Sequence, residues 1–126
     1  MSGVTVKTGV QFTRIAPAGF RLLGALERTA RRFEMPLVIT CACEAHPAAD
    51  PHAKGEAYDV RTHGLTPAQK ALVLRETLLD LSDGEADAPM LAGLGAATRR
   101  FYGQIEHAGT PAEHLHVQRR KGTTYR

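Results

Sequence analysis

The chain has 126 residues, 43% of them apolar, and carries a net charge of +3. This length fits one domain, and we expect a single domain over residues 1–126, with its core at residues 15–119 and a basic tail at residues 119–126. The ordinary composition excludes collagen, a coiled coil and wholesale disorder. No apolar run approaches the ~20 residues of a membrane-spanning helix, and a charge of +3 is too small to indicate a nucleic-acid partner. We therefore expect a monomer with neither a membrane span nor bound nucleic acid.

The first third of the chain predicts a helix followed by a strand. From Pro17 onward, apolar side chains recur at steps of three and four residues, which is typical of an amphipathic helix. The members of this stripe are Phe20, Leu23, Leu26, Ala30 and Phe33. The helix should end before Pro36, because the residue before a proline disfavours helical backbone. Residues 37–40 are apolar and β-branched, and they predict a buried strand that can extend to residue 43.

A loop, a strand and a second helix come next. Residues 44–55 contain Pro, Ala and His without periodicity and predict a loop, whereas residues 56–60 predict a short strand. Thr66, Pro67 and Gln69 predict a helix start, in which threonine is the cap and glutamine closes a capping box. The apolar stripe of this helix is Ala71, Leu74, Leu78 and Leu81.

The last third of the chain predicts a closing hairpin. Residues 82–88 are acidic and predict a surface loop, and the Ala/Gly-rich residues 89–98 predict a weak third helix. Residues 101–107 and 114–118 predict two strands joined by a turn at residues 108–111. Helices mixed with short strands indicate the α+β class, with a small antiparallel sheet and helices packed on one side.

The placement of the histidines is the most informative chemical feature. All six lie between positions 46 and 116, on loops and strand ends, where titratable groups are candidates for a functional site. His52 on the predicted loop and Asp59 on the next strand can converge on one metal ion, with His116 as a third ligand. Three such ligands plus an open position are typical of catalytic zinc, which lowers the pKa of a bound water to about 7. Glu113 is placed in the sequence to take the proton of that water as general base.

Two motifs together carry a resemblance to a known family. The first is H-x6-D with an internal Gly-x-Ala, in residues 52–60, and the second is E-x-x-H, in residues 113–118. They resemble the zinc D-alanyl-D-alanine peptidases, which include D,D-carboxypeptidases, D,D-dipeptidases and phage L-alanyl-D-glutamate endolysins. This family shares its fold with the hedgehog signalling domain. The resemblance covers residues 15–119, and the two motifs are more specific together than either is alone.

The resemblance implies a cofactor and a role for each matching residue. Zn²⁺ would be held by His52, Asp59 and His116, and Glu113 would be the general base. His114 matches the first histidine of an H-x-H motif in wider relatives, where it lines the site. The implied substrate is a stem peptide of peptidoglycan.

The sequence departs from the family pattern at two positions. Asp50 stands where the family usually has a serine, two residues before the first ligand. Glu44 stands after the first core strand, where many members have an arginine that is thought to polarise the substrate carbonyl. A carboxylate cannot act as that positive donor, so the substitution bears on peptidase rate more than on metal binding.

Some assignments stay open at the level of sequence. In a flat strand Glu113 and His116 face opposite ways, so the base role of Glu113 requires a turn that swings it round. If the strand starts earlier, His114 shares a face with His116 and competes as ligand or base. We expect His46 and His63 to be solvated loop histidines, and His107 and Tyr58 to be structural. Two further residues, Cys41 and Cys43, are expected to be reduced core thiols.

The leading functional hypothesis is a zinc metallopeptidase that cleaves peptidoglycan stem peptides. One alternative is an inert metal-binding module with the same fold, such as a virion component, and another is a small metal-dependent esterase or amidase. Residues 1–7 lack the apolar core of a signal peptide. We therefore expect cytoplasmic synthesis, with delivery of a phage-encoded protein to the cell wall by lysis or in a virion.

Overall fold

The computed structural model describes residues 3–44, 46–82, 90–91 and 95–120. Two helices and seven strands are assigned in this part of the chain. In chain order they are β1 (Gly3–Val6), α1 (Pro17–Arg32), β2 (Pro36–Cys41), β3 (Ala57–Arg61), α2 (Pro67–Asp80), β4 (Met90–Leu91), β5 (Gly95–Ala97), β6 (Phe101–Glu106) and β7 (His114–Arg119). The predicted α+β class is confirmed. Of the tail predicted at residues 119–126, Arg119 ends β7 and residues 121–126 lie outside the described residues, as do residues 83–88 of the predicted surface loop.

The strands form one sheet in the order β1-β2-β3-β7-β6-β5-β4. All neighbours pair antiparallel except β1 and β2, which pair parallel. The sheet is therefore mixed, whereas the sequence predicted an antiparallel one. The sequence does not predict strand β1, because four residues are too short a pattern and the segment becomes a strand by pairing with β2 at the edge of the sheet.

Helix α1 begins at the predicted Pro17, and the buried stripe is rotated from the predicted one. Leu26 and Ala30 are fully buried as expected, but Phe20 is 63% exposed. The helix buries small and aliphatic side chains instead: Ala18, Gly19, Leu22, Ala25 and Thr29. The periodicity therefore predicts the helix correctly but does not predict which face of it packs on the sheet.

Helix α2 confirms the predicted capping box. The Thr66 hydroxyl accepts the backbone N–H of Gln69 at 3.1 Å, and the Gln69 side chain accepts the N–H of Thr66 at 2.9 Å. Leu74 and Leu78 are buried, but the predicted Ala71 is exposed. Among the described residues, neither helix is long and apolar enough to cross a membrane.

The helix predicted at residues 89–98 is wrong. The described part of this segment forms strands β4 and β5, and β5 pairs with β6 through Ala96↔Gly103. Alanine favours a helix, but glycine disfavours both a helix and a strand, so local propensity is weak here and the pairing with β6 decides the conformation.

The two faces of the sheet differ in chemistry, because side chains alternate along each strand. One face packs on the helices and is apolar, and on β7 it carries Leu115 and Val117. The other face carries His114, His116 and Gln118 on the same strand. This second face, away from the helices, holds the candidate site.

Candidate metal centre

A β-bulge aligns four polar side chains across the face away from the helices. On β2 and β3, Ile39 is opposite Val60 but Cys41 is opposite Asp59, so β2 has one extra residue between the two pairs. A bulge of this kind turns the following side chain to the other face. Continuing the register across the sheet, Asp59 pairs with His116, which in turn pairs with Gln104. Cys41, Asp59, His116 and Gln104 therefore form one cross-strand row.

The loop before β3 brings His52 to this row. The Asp50 side chain accepts the backbone N–H of His52 at 2.8 Å, and the carbonyl of His52 accepts the N–H of Gly55 at 3.1 Å. Asp50 therefore has a local structural role at the position where the family pattern has serine, since both side chains can accept a backbone N–H. The loop is tied to the start of α1 by the Ala16 N–H, which donates to the Gly55 carbonyl at 3.2 Å.

Three of the predicted site residues meet in what we call the first cluster: His52, Asp59 and His116. The Nε2 atom of His52 lies 3.3 Å from both His116 Nδ1 and Asp59 Oδ1. The distance from His116 Nδ1 to Asp59 Oδ1 is 2.9 Å. Exposure of the three side chains is between 6% and 15%. The structure thus brings together residues 64 positions apart in the chain.

Hydrogen bonds at the far side of each ring point the lone pairs of both histidines into the first cluster. His52 Nδ1 lies 3.1 Å from the Ala42 carbonyl oxygen, which can only accept, so Nδ1 carries the hydrogen. His116 Nε2 lies 2.8 Å from Gln118 Oε1, and the amide of Gln118 is oriented because its NH₂ donates to the Arg119 carbonyl. The neutral rings therefore place two nitrogen lone pairs and a carboxylate oxygen against one another.

This arrangement favours a positive charge at its centre. Burial opposes ionisation of Asp59, but when the facing ring nitrogens are protonated, hydrogen bonds from His116 and His52 outweigh burial and hold the pKa of Asp59 well below its usual range. Burial also opposes protonation of His116, yet hydrogen bonds with Asp59 and Gln118 raise its pKa. Three acceptors in contact need either a shared proton or a cation between them.

The donor set fits a zinc ion. Bonds of about 2.0–2.1 Å in a tetrahedral site imply distances of about 3.3 Å between ligand atoms, close to the 2.9–3.3 Å observed. Each imidazole is oriented by an oxygen acceptor behind it, as is usual for metal-bound histidine. The side chains His52, Asp59 and His116 can together hold a metal ion.

Two residues for which we expected no role in the site, His46 and Cys41, lie beside the first cluster. The ring of His46 stacks on that of His52 with 4.2 Å between centroids, and Cys41 Sγ lies 3.8 Å from His46 Nδ1. His46 is half-buried, so the prediction of a solvated loop histidine is wrong. Cys41 and Cys43 are free thiols as predicted, but Cys41 faces the site. The sequence carried no signal for this position, because the bulge that turns Cys41 follows from strand pairing.

Glu113 is not brought to the first cluster. Its carboxylate lies 2.5 Å from Lys70 Nζ on α2 and accepts hydrogen bonds from Thr62 Oγ1 at 2.7 Å and the Gly109 N–H at 2.9 Å. Lys70 belongs to the helix side of the sheet, so Glu113 points away from the face that carries His116. The predicted swing of Glu113 toward the first cluster does not occur, because Lys70, Thr62 and the Gly109 N–H hold its carboxylate elsewhere.

His114 is the predicted catalytic residue that does share a face with His116. Its Nε2 atom lies 3.6 Å from Asp59 Oδ1 and 2.8 Å from Glu106 Oε1. Glu106 was not predicted as a site residue. Its position could have been found from the alternation of β6, in which Tyr102, Gln104 and Glu106 face the same way.

Glu44, at the position of the family's arginine, stabilises the turn after β2. Its Oε1 accepts the backbone N–H groups of Gln11 and Ala42, each at 3.0 Å. Burial opposes ionisation, but these backbone hydrogen bonds lower the pKa of Glu44. The carboxylate therefore serves as a structural acceptor.

Comparison with known proteins identifies no relative: no family model, curated protein or solved structure matches this chain. The geometry of the first cluster is accordingly the main evidence for a function, and the resemblance rests on the two motifs.

Proposed function

We propose that this chain is a zinc-dependent hydrolase that cleaves peptide bonds in peptidoglycan stem peptides, with His52, Asp59 and His116 as the metal ligands. The observation that carries the proposal is the convergence of two oriented imidazole lone pairs and one carboxylate oxygen within 3.3 Å. The substrate class is supported by the resemblance of residues 52–60 and 113–118 to the zinc D-alanyl-D-alanine peptidases.

Zinc fits the proposal because three protein ligands leave a coordination position open. When bound at such a site, zinc acts as a Lewis acid and makes water a nucleophile at neutral pH. The residues of the chain then have separable tasks. Gln118 and the Ala42 carbonyl orient the two imidazoles, and Asp59 supplies the negative charge that retains a dication.

A cavity beside the first cluster supplies space for a substrate. It has a volume of about 530 Å³, and Tyr102, Gln104 and Arg120 are among the described residues that line it. The Tyr102 ring, which lines this cavity, lies 6.1 Å from that of His116, so Tyr102 separates the cavity from the first cluster. Among the described lining residues, Tyr102 and Gln104 offer hydrogen-bonding groups and Arg120 a positive charge, which suit an extended polar peptide with a carboxylate.

Glu44 favours a second candidate, a metal-binding module without turnover. The family's arginine position is occupied by a carboxylate that is engaged with backbone N–H groups, so it cannot polarise a carbonyl. A module that binds a metal ion only to stabilise its structure would need only the first cluster. Hydrolysis of the substrate separates the two candidates.

The experiment is a digestion of purified peptidoglycan. We expect zinc-loaded protein to release new amino groups, and we expect chelator-treated protein and the variant His116→Ala to release none. The matched control is His63→Ala, because His63 is an exposed loop histidine outside the cluster and its removal should leave the rate unchanged. Zinc-loaded wild-type protein that releases no amino groups would overturn the hydrolase in favour of the inert module.

A further inference from the structure

Asp59 contacts a second group of metal-ligand side chains beside the first cluster. This second cluster consists of Asp59, Glu106 and His114, whose ligand atoms lie within 4.8 Å of one another. His114 Nε2 is 2.8 Å from Glu106 Oε1 and 3.6 Å from Asp59 Oδ1. In the register of the sheet, His114 is opposite Glu106 on one side and Arg61 on the other. His114 and Glu106 thus lie in the next row of the same sheet face, and Asp59 contacts them from the first row.

His114 is oriented in the same way as the two histidines of the first cluster. Its Nδ1 lies 3.0 Å from the carbonyl oxygen of Ala112, which lies outside the cluster and can only accept a hydrogen bond. The neutral ring therefore carries its hydrogen on Nδ1 and directs the Nε2 lone pair toward two carboxylates. Three histidines thus direct lone pairs toward the region around Asp59.

The geometry points to a second divalent cation held by Asp59, Glu106 and His114, adjacent to the first, with the Asp59 carboxylate shared between the two ions. This inference rests on the proposed metal site, since Asp59 belongs to both clusters. A carboxylate has two oxygens with about four lone-pair sites and can serve two ions. Pairs of metal ions about 3.5–4 Å apart recur in hydrolases.

The chemistry of the second cluster defines which ion it suits. Two carboxylates and one imidazole favour Zn²⁺ or Mn²⁺ over soft thiophilic ions. Glu106 adds a second negative charge beside Asp59, which offsets the repulsion between two dications. Glu106 and His114 are 33% and 22% exposed, more than the side chains of the first cluster, so the second ion should exchange with solvent faster than the first. His114 is then a metal ligand, which excludes it from acting as a free base while both ions are bound.

The test is the number of ions bound per chain. Metal-free protein is dialysed to equilibrium against ZnCl₂ at neutral pH, and zinc and protein are measured by mass spectrometry and amino-acid analysis. We expect two ions in the wild type and in His63→Ala, and one ion in Glu106→Gln and in His114→Ala. Far-UV circular dichroism checks that each variant is folded, and Glu106→Gln preserves side-chain shape. With Mn²⁺ in place of zinc, we expect magnetic coupling between the two ions in the wild type and none in Glu106→Gln.

The outcomes separate this inference from the proposed function. One ion in the wild type that is lost in His116→Ala but kept in His114→Ala overturns the second ion and leaves the first site intact. Two ions in Glu106→Gln also overturn it, because the second ion would then lie elsewhere. No bound ion in the wild type overturns both the inference and the zinc hydrolase.

Discussion

Glu113 and His114 are adjacent in the chain but have opposite surroundings. The Glu113 carboxylate is held on the helix side by Lys70, whereas His114 faces Asp59 across the sheet. The difference follows from the two-residue period of a strand that begins at His114. Glu113 therefore stabilises the junction between α2 and β7, and His114 belongs to the site.

Replacing Glu113 should affect stability and leave metal binding unchanged. Contacts with Lys70, Gly109 and Thr62 lower the pKa of Glu113 from 4.5 to about 2, so the folded state favours the ionised form. We expect Glu113→Gln to lower the free energy of unfolding by about 1 kcal/mol at pH 7, which is the scale of a partly exposed ion pair with hydrogen bonds. The variant should keep its zinc content. The stability difference should be full above pH 4.5 and shrink as the pH falls toward 2.

Urea denaturation of both proteins between pH 7 and pH 3 measures this difference. A difference that did not depend on pH would contradict the ionic role of Glu113. Loss of zinc in Glu113→Gln would show that Glu113 contributes to metal binding.

At the level of elements, the loop that carries His52 is positioned by close backbone contacts with the start of α1. Gly55 adopts a φ of +71°, and a Cβ atom there would lie 2.2 Å from the Arg14 carbonyl oxygen. A Cβ on Gly19 would lie 2.0 Å from the Gly55 carbonyl oxygen. Two glycines therefore permit the approach that places His52 over the sheet, because any side chain would separate the two backbones.

We expect Gly55→Ala to weaken both the fold and the metal site. Its matched control is Gly64→Ala, because Gly64 also has a positive φ of +89° but no atom lies within 4 Å of its Cβ position. In the control, backbone strain alone should lower the free energy of unfolding by about 1 kcal/mol. In Gly55→Ala the free energy of unfolding should fall by about 2–4 kcal/mol, because overpacking adds to the strain.

Urea denaturation measures the free energy of unfolding of each variant, and zinc titration measures the affinity of each variant for zinc. We expect a lower zinc affinity in Gly55→Ala alone. Equal effects of the two substitutions would contradict the role of the close contact.

For the whole molecule, the first cluster links three parts of the fold that are distant in sequence. His52 lies on the loop, Asp59 on β3 and His116 on β7, so a metal ion would cross-link the loop to the centre of the sheet. A ligand that binds only the folded state stabilises it by mass action.

Zinc should therefore raise the melting temperature. At a free zinc concentration of 100 Kd the added stability is about 2.7 kcal/mol, which for a domain of this size raises the melting temperature by on the order of 10 °C. The shift should disappear with a chelator and in His116→Ala. It should also fade as the pH falls through the raised pKa of His116, since protons compete with the metal for imidazole. Differential scanning fluorimetry measures it, and an equal shift in His116→Ala would place the stabilising ion elsewhere.

Local patterns in the sequence were sufficient for much of the fold and for two of the three side chains that could hold a metal ion. The capping box at Thr66 and the helix starting at Pro17 depend on neighbours within one or two turns, so they could be predicted without the tertiary structure. The spacing of His52 and Asp59 likewise follows from one loop and the strand after it. His116, on the predicted closing hairpin, was expected as the third ligand from its residue type and its place on a strand, and the resemblance of the two motifs implies the same role.

Only the tertiary structure decided which side chains share a face. The bulge that turns Cys41 to the site, the pairing that puts Glu106 beside His114, and the β6 edge that makes residues 95–97 a strand all depend on remote partners. Strand register changes the face of every side chain with a shift of one residue, and a single sequence does not encode it in local spacing. The sequence by itself therefore indicated three side chains that could hold a metal ion, and the sheet register decided that Glu113 lies away from them and His114 beside them.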